Sequence, residues 1–337
     1  MPLHLFNNYP LALLIFTIGC VVGSFLNVLG LRLLREEEFI SKPSYCYQCE
    51  APLKWFDNIP LLSWLLLGGK CRNCKAAVHW QYPVIELLTG GSFFIILGYF
   101  GLTLQSILLL LLFCNLIVVL ITDFREQLIF DLNSMPLIPL GLIYVCAQAW
   151  VPVHSFNDIT ATLIPALIPG LLSSAAGVGF SFAVFTLLNI ISTMLFQAEG
   201  FGEGDIRLLM GLGAYFGLQP VIIIFIASII LQSVMTFPLM LIQWISKRRY
   251  NVLGCFLVAV ILSVSPWVIQ HTVSDVTLMM ALSLLVAGLA TFLLFRGIYL
   301  SKQYEDGLTY VPFGPAICLA GAIYPFVHGH VVLGYTL

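Results

Sequence analysis

Long runs of apolar residues recur through almost the whole chain. Hydrophobic residues make up 60% of its 337 residues and charged residues only 9%, and the mean hydropathy is +1.01. This composition excludes an ordinary soluble domain. The runs lack the two-residue alternation of barrel strands, so we expect an all-α polytopic membrane protein with about eight to ten transmembrane helices. The predicted spans are residues 8–33, 83–100, 103–122, 133–151, 164–195, 205–219, 221–245, 252–270, 276–298 and 311–330.

The distribution of basic residues predicts how these helices are oriented. Seven of the fourteen Lys and Arg residues lie at the end of the first run or between the first and second runs. The positive-inside rule therefore places residues 35–82 in the cytoplasm. We expect the first run to be retained as a membrane helix, because no basic segment precedes it and no cleavage site of small residues closes it. The net charge of −2 gives no indication of nucleic-acid binding.

Four of the nine cysteines form two C-x-x-C pairs separated by twenty-one residues. Cys46 and Cys49 form the first pair, and Cys71 and Cys74 form the second. This spacing is typical of a tetrahedral four-cysteine zinc site. Two disulfides are disfavoured by a reducing cytosol, and unused thiols would not explain the doubled spacing. Because four protein ligands close the coordination sphere, we predict a structural zinc in a small domain of residues 35–82.

An aromatic and apolar segment lies between the two cysteine pairs, from Trp55 to Trp64. One interpretation is that it fills the interior of the zinc domain. A second is that it rests on the membrane surface, where tryptophan is favoured, and helps to form a substrate groove. The two interpretations are compatible.

Two aspartates lie where an apolar run meets water. Asp123 closes one run, and Asp205 follows Gly202-Glu203-Gly204 just before another. Counting spans puts both on the cytoplasmic face, and acids at such places are usually functional. Two carboxyl groups that share a proton can activate water and protonate a carbonyl oxygen, as aspartic proteases do. The alternative for Asp205 alone is an N-cap role, and we expect Gly202 and Gly204 to adopt conformations closed to other residues.

Several ordered sequence blocks carry a resemblance to a known family. The blocks are Gly23–Val28 with Arg32, the two cysteine pairs with the segment between them, Tyr82–Glu86, Asp123–Asp131, Gly202–Leu209 and Pro312–Pro315. In these blocks the chain resembles the type IV prepilin peptidases, which are leader peptidases and N-methyltransferases of type IV pilus and type II secretion systems.

The resemblance implies specific site residues. Asp205 matches the catalytic aspartate of the G-x-G-D motif, and Asp123 matches its partner, the first aspartate of a D-x7-D segment. Asp131, the second aspartate of that segment, is interpreted as a helix cap or a local hydrogen-bond acceptor. We interpret Arg207 as a signal of membrane topology, and Glu86 as a residue that orients the zinc domain or recognises a cation.

The resemblance also implies substrates, a cofactor and a location. The substrates are type IV prepilins or pseudopilins, and the location is the bacterial inner membrane, with membrane lipid as a further partner. S-adenosylmethionine is the implied methyl donor, although no glycine-rich cofactor motif assigns its binding residues. The alternatives are a peptidase without methyltransferase activity, and a non-enzymatic membrane scaffold or transporter that carries a zinc module.

The resemblance divides the chain into three parts. We predict a first transmembrane helix in residues 1–34, the zinc domain in residues 35–82, and a membrane-embedded aspartic peptidase domain in residues 83–337. Family members usually have eight spans, whereas residues 248–298 here suggest an additional helical hairpin. No motif bears on the oligomeric state.

Overall fold

The computed structural model describes residues 9–38, 43–150, 164–196, 201–259 and 313–327, with isolated helical positions between 262 and 296. These residues form helices and connecting turns, and two isolated bridges are the only β-type pairing among them. The helices are α1 (Tyr9–Leu34), α2 (Leu62–Leu66), α3 (Gln81–Phe100), α4 (Leu104–Glu126), α5 (Asp131–Ser134), α6 (Leu137–Trp150), α7 (Ile164–Phe196), α8 (Glu203–Phe216), α9 (Leu218–Ser246), α10 (Tyr250–Ala259) and α11 (Gly314–Val327).

Six described segments are long and apolar enough to cross a membrane, which confirms the predicted helical membrane fold. They are Tyr9–Leu34, Gln81–Phe100, Leu104–Glu126, Asp131–Ala149, Leu167–Met194 and Leu218–Ser246. The predicted span 252–270 begins within α10, and the span 276–298 lies outside the continuously described residues.

Helix α8 differs from the other predicted spans because it is short. Its 14 residues rise about 21 Å at 1.5 Å per residue, which is less than the roughly 30 Å hydrocarbon core. Most of its residues are buried, and it packs against α5, α6, α7 and α11. We therefore describe α8 as a helix enclosed by the bundle.

Close backbone contacts hold α8 in place. A Cβ atom added to Gly213 would lie 2.7 Å from the carbonyl carbon of Gly177 in α7, and one added to Gly141 in α6 would lie 2.6 Å from the carbonyl carbon of Ala214. Small residues permit this kind of approach between helices in a membrane. These contacts hold the C-terminal end of α8 against α6 and α7.

The chain forms two compact units, one of residues 1–229 with 312–337 and the other of residues 230–311. In the first unit, α1 packs against α3 and α4. In the second unit, Trp244 stacks on Phe256 with ring centroids 4.7 Å apart. The predicted additional segment, 248–298, belongs to the second unit, and all residues of the candidate sites belong to the first.

Candidate active site and metal centre

Asp123 lies in the last turn of α4 and is only 4% exposed. The helix ends because Gln127 adopts a left-handed conformation, with φ 55°, and its backbone N–H donates to the Asp123 carbonyl at 3.0 Å. Such a residue is a common way to end a helix. The chain then turns through residues 128–130 and enters α5.

Asp205 is the third residue of α8 and is 7% exposed. Its carboxylate accepts a hydrogen bond from the backbone N–H of Gly202, the N-cap residue. This bond is one half of a capping box, in which a side chain in the first helical turn satisfies the N-cap backbone. Asp205 therefore caps α8 from within the first turn and does not occupy the N-cap position.

The structure brings the two predicted aspartates together. Their carboxyl groups are near enough for the charge of Asp123 to act on Asp205. The backbone N–H of Gly314 donates to the Asp123 carboxylate. One buried oxygen of each group, Oδ2 of Asp123 and Oδ1 of Asp205, has no hydrogen-bond partner among the described residues. These two oxygens can bond to a water molecule or a substrate carbonyl, since buried polar atoms strongly favour a partner.

Ile129 joins the three segments that surround the aspartates. A Cβ atom on Gly204 would lie 2.6 Å from Cβ of Ile129 and 3.2 Å from its carbonyl oxygen. A Cβ atom on Gly314 would lie 3.2 Å from Cδ1 of Ile129 and would overlap the Asp123 carboxylate. The side chain of Ile129 thus occupies the space that these two glycines leave open.

The expected reason for glycine at positions 202 and 204 is wrong in one respect. Gly202 has φ −68°, and neither glycine is among the described residues with positive φ. Other residue types can adopt these backbone conformations. Gly204 is required because Ile129 leaves no room for a side chain.

Asp131, Glu203 and Arg207 form an ion-pair group beside the aspartates. The guanidinium of Arg207 donates to Oδ1 of Asp131 at the start of α5, and to Oε2 of Glu203 at 2.6 Å. The N-cap of α5 is Phe130, which has no side-chain cap, so Asp131 pairs across to α8 and does not cap its own helix. Arg207 therefore bonds to two acids, which goes beyond the predicted role as a signal of membrane topology.

The four predicted zinc ligands form one cluster. Their Sγ atoms all lie within 4.8 Å of one another, and no described cysteine forms a disulfide. Sγ of Cys46 and Sγ of Cys74, one from each pair, are 3.8 Å apart. A tetrahedral site with Zn–S bonds of about 2.3 Å requires sulfur atoms about 3.8 Å apart. The cluster therefore fits a zinc ion.

The two cysteine pairs have nearly the same local structure. The N–H of the first cysteine donates to the carbonyl five residues later, at 3.0 Å from Cys46 and at 2.8 Å from Cys71. The residue after each second cysteine is left-handed, with φ 56° at Glu50 and 61° at Lys75. Backbone N–H groups aimed at its sulfur lower the pKa of Cys71 to about 7. For Cys74, a backbone N–H lowers the pKa, but burial and hydrogen bonds to the other three thiols outweigh it and raise the pKa to about 11.

Glu86 connects the cysteine domain to α3. It is 6% exposed, and Oε2 accepts a hydrogen bond from the N–H of Leu61 at 2.8 Å. Leu61 has φ 59° and ψ −51°, and the N–H of Leu62 donates to the carbonyl of Pro60 at 2.6 Å. These features define a strained γ-turn. The contact is consistent with the interpretation that Glu86 orients the domain.

The tryptophans at the two ends of the intervening segment have different surroundings. Trp64 is partly buried and its indole N–H donates to the carbonyl of Val78 at 3.2 Å, so it belongs to the interior of the domain. Trp55 is 80% exposed. The interpretation of the segment as interior filling therefore holds for Trp64 and is wrong for Trp55.

Two contacts near the aspartates were not anticipated. Arg125 donates to Oε1 of Gln81 at 2.8 and 3.0 Å and so links the end of α4 to the start of α3. In the sequence Gly314 is only one residue of the Pro312–Pro315 block, whereas in the structure its backbone contacts Asp123 directly. The Pro312–Pro315 block was the available signal, but Asp123, which Gly314 contacts, lies almost two hundred residues earlier in the chain.

Comparisons with known proteins find two family models that match the chain. Residues 17–100 match the bacterial peptidase A24 N-terminal domain, and residues 110–237 match the type IV leader peptidase family. A prepilin leader peptidase/N-methyltransferase of Dickeya chrysanthemi is 32% identical over 242 residues, which cover 63% of this chain and 78% of the relative. The protein of the same name from Neisseria gonorrhoeae is 31% identical over 238 residues, covering 63% and 77%.

The extent of the match varies among relatives. For the prepilin leader peptidase/N-methyltransferase of Myxococcus xanthus, the identity is 32% over 205 residues, which cover 60% of this chain and 56% of the relative. No solved structure matches the chain. The two matched domains and the length of the shared sequence establish that the chain belongs to the type IV leader peptidase family.

Proposed function

We propose that this protein cleaves the leader peptides of type IV prepilins or pseudopilins with Asp123 and Asp205. The observation that carries the proposal is the pair of buried carboxyl groups, each with one oxygen that has no hydrogen-bond partner in the part of the chain that the structure describes. The names of the relatives supply the substrate class. We further propose that the reaction takes place at the cytoplasmic face of the bacterial inner membrane.

The chemistry requires one ionised and one protonated carboxyl group. The ionised aspartate accepts a proton from water, whose oxygen attacks the scissile carbonyl carbon. The protonated aspartate donates to the carbonyl oxygen, and the tetrahedral intermediate collapses when the amine leaves with a proton. The N–H groups of Gly314 and Gly202 hold the two carboxyl groups in orientation during these steps.

The position of the aspartates suits a substrate that is itself a membrane helix. Asp123 lies in the last turn of α4 and Asp205 in the first turn of α8, so both occur at helix ends. A prepilin carries a short basic leader followed by an apolar helix. Its cleavage point lies where that helix leaves the membrane, which is the depth we propose for the two aspartates.

Cleavage of a purified prepilin in detergent tests the peptidase activity. Asp123→Asn and Asp205→Asn preserve the size of each side chain and are each expected to abolish cleavage. Glu126→Gln is the matched control, because it removes one negative charge from an exposed residue at the same end of α4. Normal cleavage by either aspartate variant would exclude this mechanism, and no cleavage by the wild type would favour the scaffold or transporter.

We also propose that the protein methylates the new N-terminal amine with S-adenosylmethionine as donor. The names of the relatives support this second activity. The mass of the processed N-terminus, measured with and without the donor, tests it. One added methyl group that depends on the donor is expected, whereas an unmodified amine would identify a peptidase without methyltransferase activity.

We propose that Cys46, Cys49, Cys71 and Cys74 hold a structural zinc ion. When bound, zinc would link the two cysteine pairs and stabilise a domain that has little core of its own. Metal analysis of Cys46→Ser should show loss of zinc. Cys146→Ser is the control, since Cys146 is exposed on α6 and outside the cluster. Equal zinc content in both variants would contradict the proposal.

A further inference from the structure

The ion-pair group of Asp131, Glu203 and Arg207 connects the two segments that carry the aspartates. Asp131 begins α5, directly after the turn that follows Asp123, whereas Glu203 and Arg207 belong to the same helix as Asp205. The Arg207 side chain is 27% exposed, while those of Asp131 and Glu203 are 62% and 76% exposed. Arg207 therefore reaches from the partly buried face of α8 to two acids at its rim.

A steric contact next to this ion pair acts between the same two segments. Ile129 packs against the bare Cα of Gly204. Ile129 lies two residues before Asp131, and Gly204 lies three residues before Arg207. The turn is thus attached to α8 at two successive points, one apolar and one ionic. At its other end the turn is continuous with the last turn of α4, where Asp123 lies.

Helix electrostatics explain the choice of charges. Arg207 lies near the N-terminal end of α8, where a cation is unfavourable unless anions accompany it. Asp131 and Glu203 are each the first residue of a helix, where an acid is favourable. A planar guanidinium holds two acids in a fixed geometry with its rigid fork of five donors, whereas the three donors of a lysine ammonium rotate freely.

We infer that Arg207 is a positioning residue, which holds the turn 127–131 against α8 and so sets the relative placement of Asp123 and Asp205. This inference rests on the proposed function, because it assigns a consequence for cleavage. Arg207 contacts neither aspartate in the described structure and acts through Asp131. A displacement of about 1 Å in a catalytic group lowers rates by roughly a hundredfold, so even a small movement of the turn is consequential.

The kinetic test compares Arg207→Gln, Arg207→Lys, Asp131→Asn and the double variant Asp131→Asn/Arg207→Gln on a prepilin substrate. Arg207→Gln should lower kcat about tenfold or more and leave KM within about threefold, while Arg207→Lys should restore part of kcat. The double variant should be no slower than Arg207→Gln, because both changes break one contact. A raised KM with normal kcat, or fully additive losses, would overturn the inference.

A second measurement does not depend on activity. The N–H groups of Asn133, Ser134 and Met135 are hydrogen-bonded within α5, and their hydrogen–deuterium exchange reports on how firmly this segment is held. Exchange should rise about fivefold in Arg207→Gln, as expected for loss of an exposed ion pair, and should be unchanged in Glu126→Gln. Unchanged exchange in Arg207→Gln would refute the positioning role even if prepilin cleavage itself were never observed.

Discussion

Gly314→Ala is the substitution that probes the proposed active site most directly. Gly314 is the first residue of α11 and has no positive φ, so its backbone accepts alanine without strain. The added Cβ would lie 3.0 Å from Cγ of Asp123 and 3.2 Å from Cδ1 of Ile129. The effect of the substitution therefore comes from lack of space.

The size of the effect follows from these distances. Carbon atoms in ordinary contact are about 3.5–4.0 Å apart, so Asp123 must move by roughly 0.5–1 Å. The close contact with Ile129 limits how far the added Cβ can move away from Asp123. A displacement of this size lowers kcat by about a hundredfold, which corresponds to about 2.7 kcal/mol of transition-state stabilisation. We expect KM to stay nearly unchanged, because the substrate is not altered.

The assay is steady-state cleavage of a prepilin, with the thermal midpoint of each variant measured in the same detergent. Gly91→Ala in α3 is the matched control, because a Cβ at that position would meet no atom of the described residues within 4 Å. Its cleavage rate should equal that of the wild type, and alanine should slightly stabilise the helix. If Gly314→Ala cleaves as fast as Gly91→Ala, the close contact does not place Asp123.

Three further substitutions have defined outcomes. Gly204→Ala should reduce cleavage strongly, since its Cβ would lie 2.6 Å from that of Ile129, and the double variant with Ile129→Ala should recover part of the activity; no recovery would mean that another contact is responsible. Glu86→Ala removes the acceptor that holds the strained turn of the cysteine domain and should increase proteolysis within residues 43–80. Glu86→Gln keeps an acceptor and should limit this increase. Equal protection in the wild type and both variants would contradict the prediction. Trp64→Ala should lower the thermal midpoint of the protein more than Trp55→Ala, because only Trp64 is partly buried in the domain, and a reversed order would show that the exposed ring carries the stability.

Much of the helical architecture could be predicted from sequence because apolar runs are a local signal. The predicted span 103–122 corresponds to α4, Leu104–Glu126, and the predicted span 83–100 corresponds to α3, Gln81–Phe100. The prediction of a membrane span at 205–219 was less accurate, because the structure has the short, buried helix α8 there. Its glycines suggested a short span, but only the surrounding helices show that α8 is enclosed by the bundle.

The candidate site was predicted unevenly. The positions of Asp123 and Asp205 could be inferred because charge in apolar sequence is conspicuous. The role of Ile129 could not, because an isoleucine after a helix has no distinctive chemistry until its neighbours are known. Arg207 and Asp131 are separated by 76 positions, and no local pattern reports a contact over that distance.

The position of Ile129 between Gly204 and Gly314 has a consequence for biogenesis. Ribosomal synthesis delivers Ile129 first, Gly204 later and Gly314 last, and the N–H that holds Asp123 comes from that last segment. A nascent chain that has inserted only its earlier helices would lack this support. The proposed site is therefore complete only after α11 has docked.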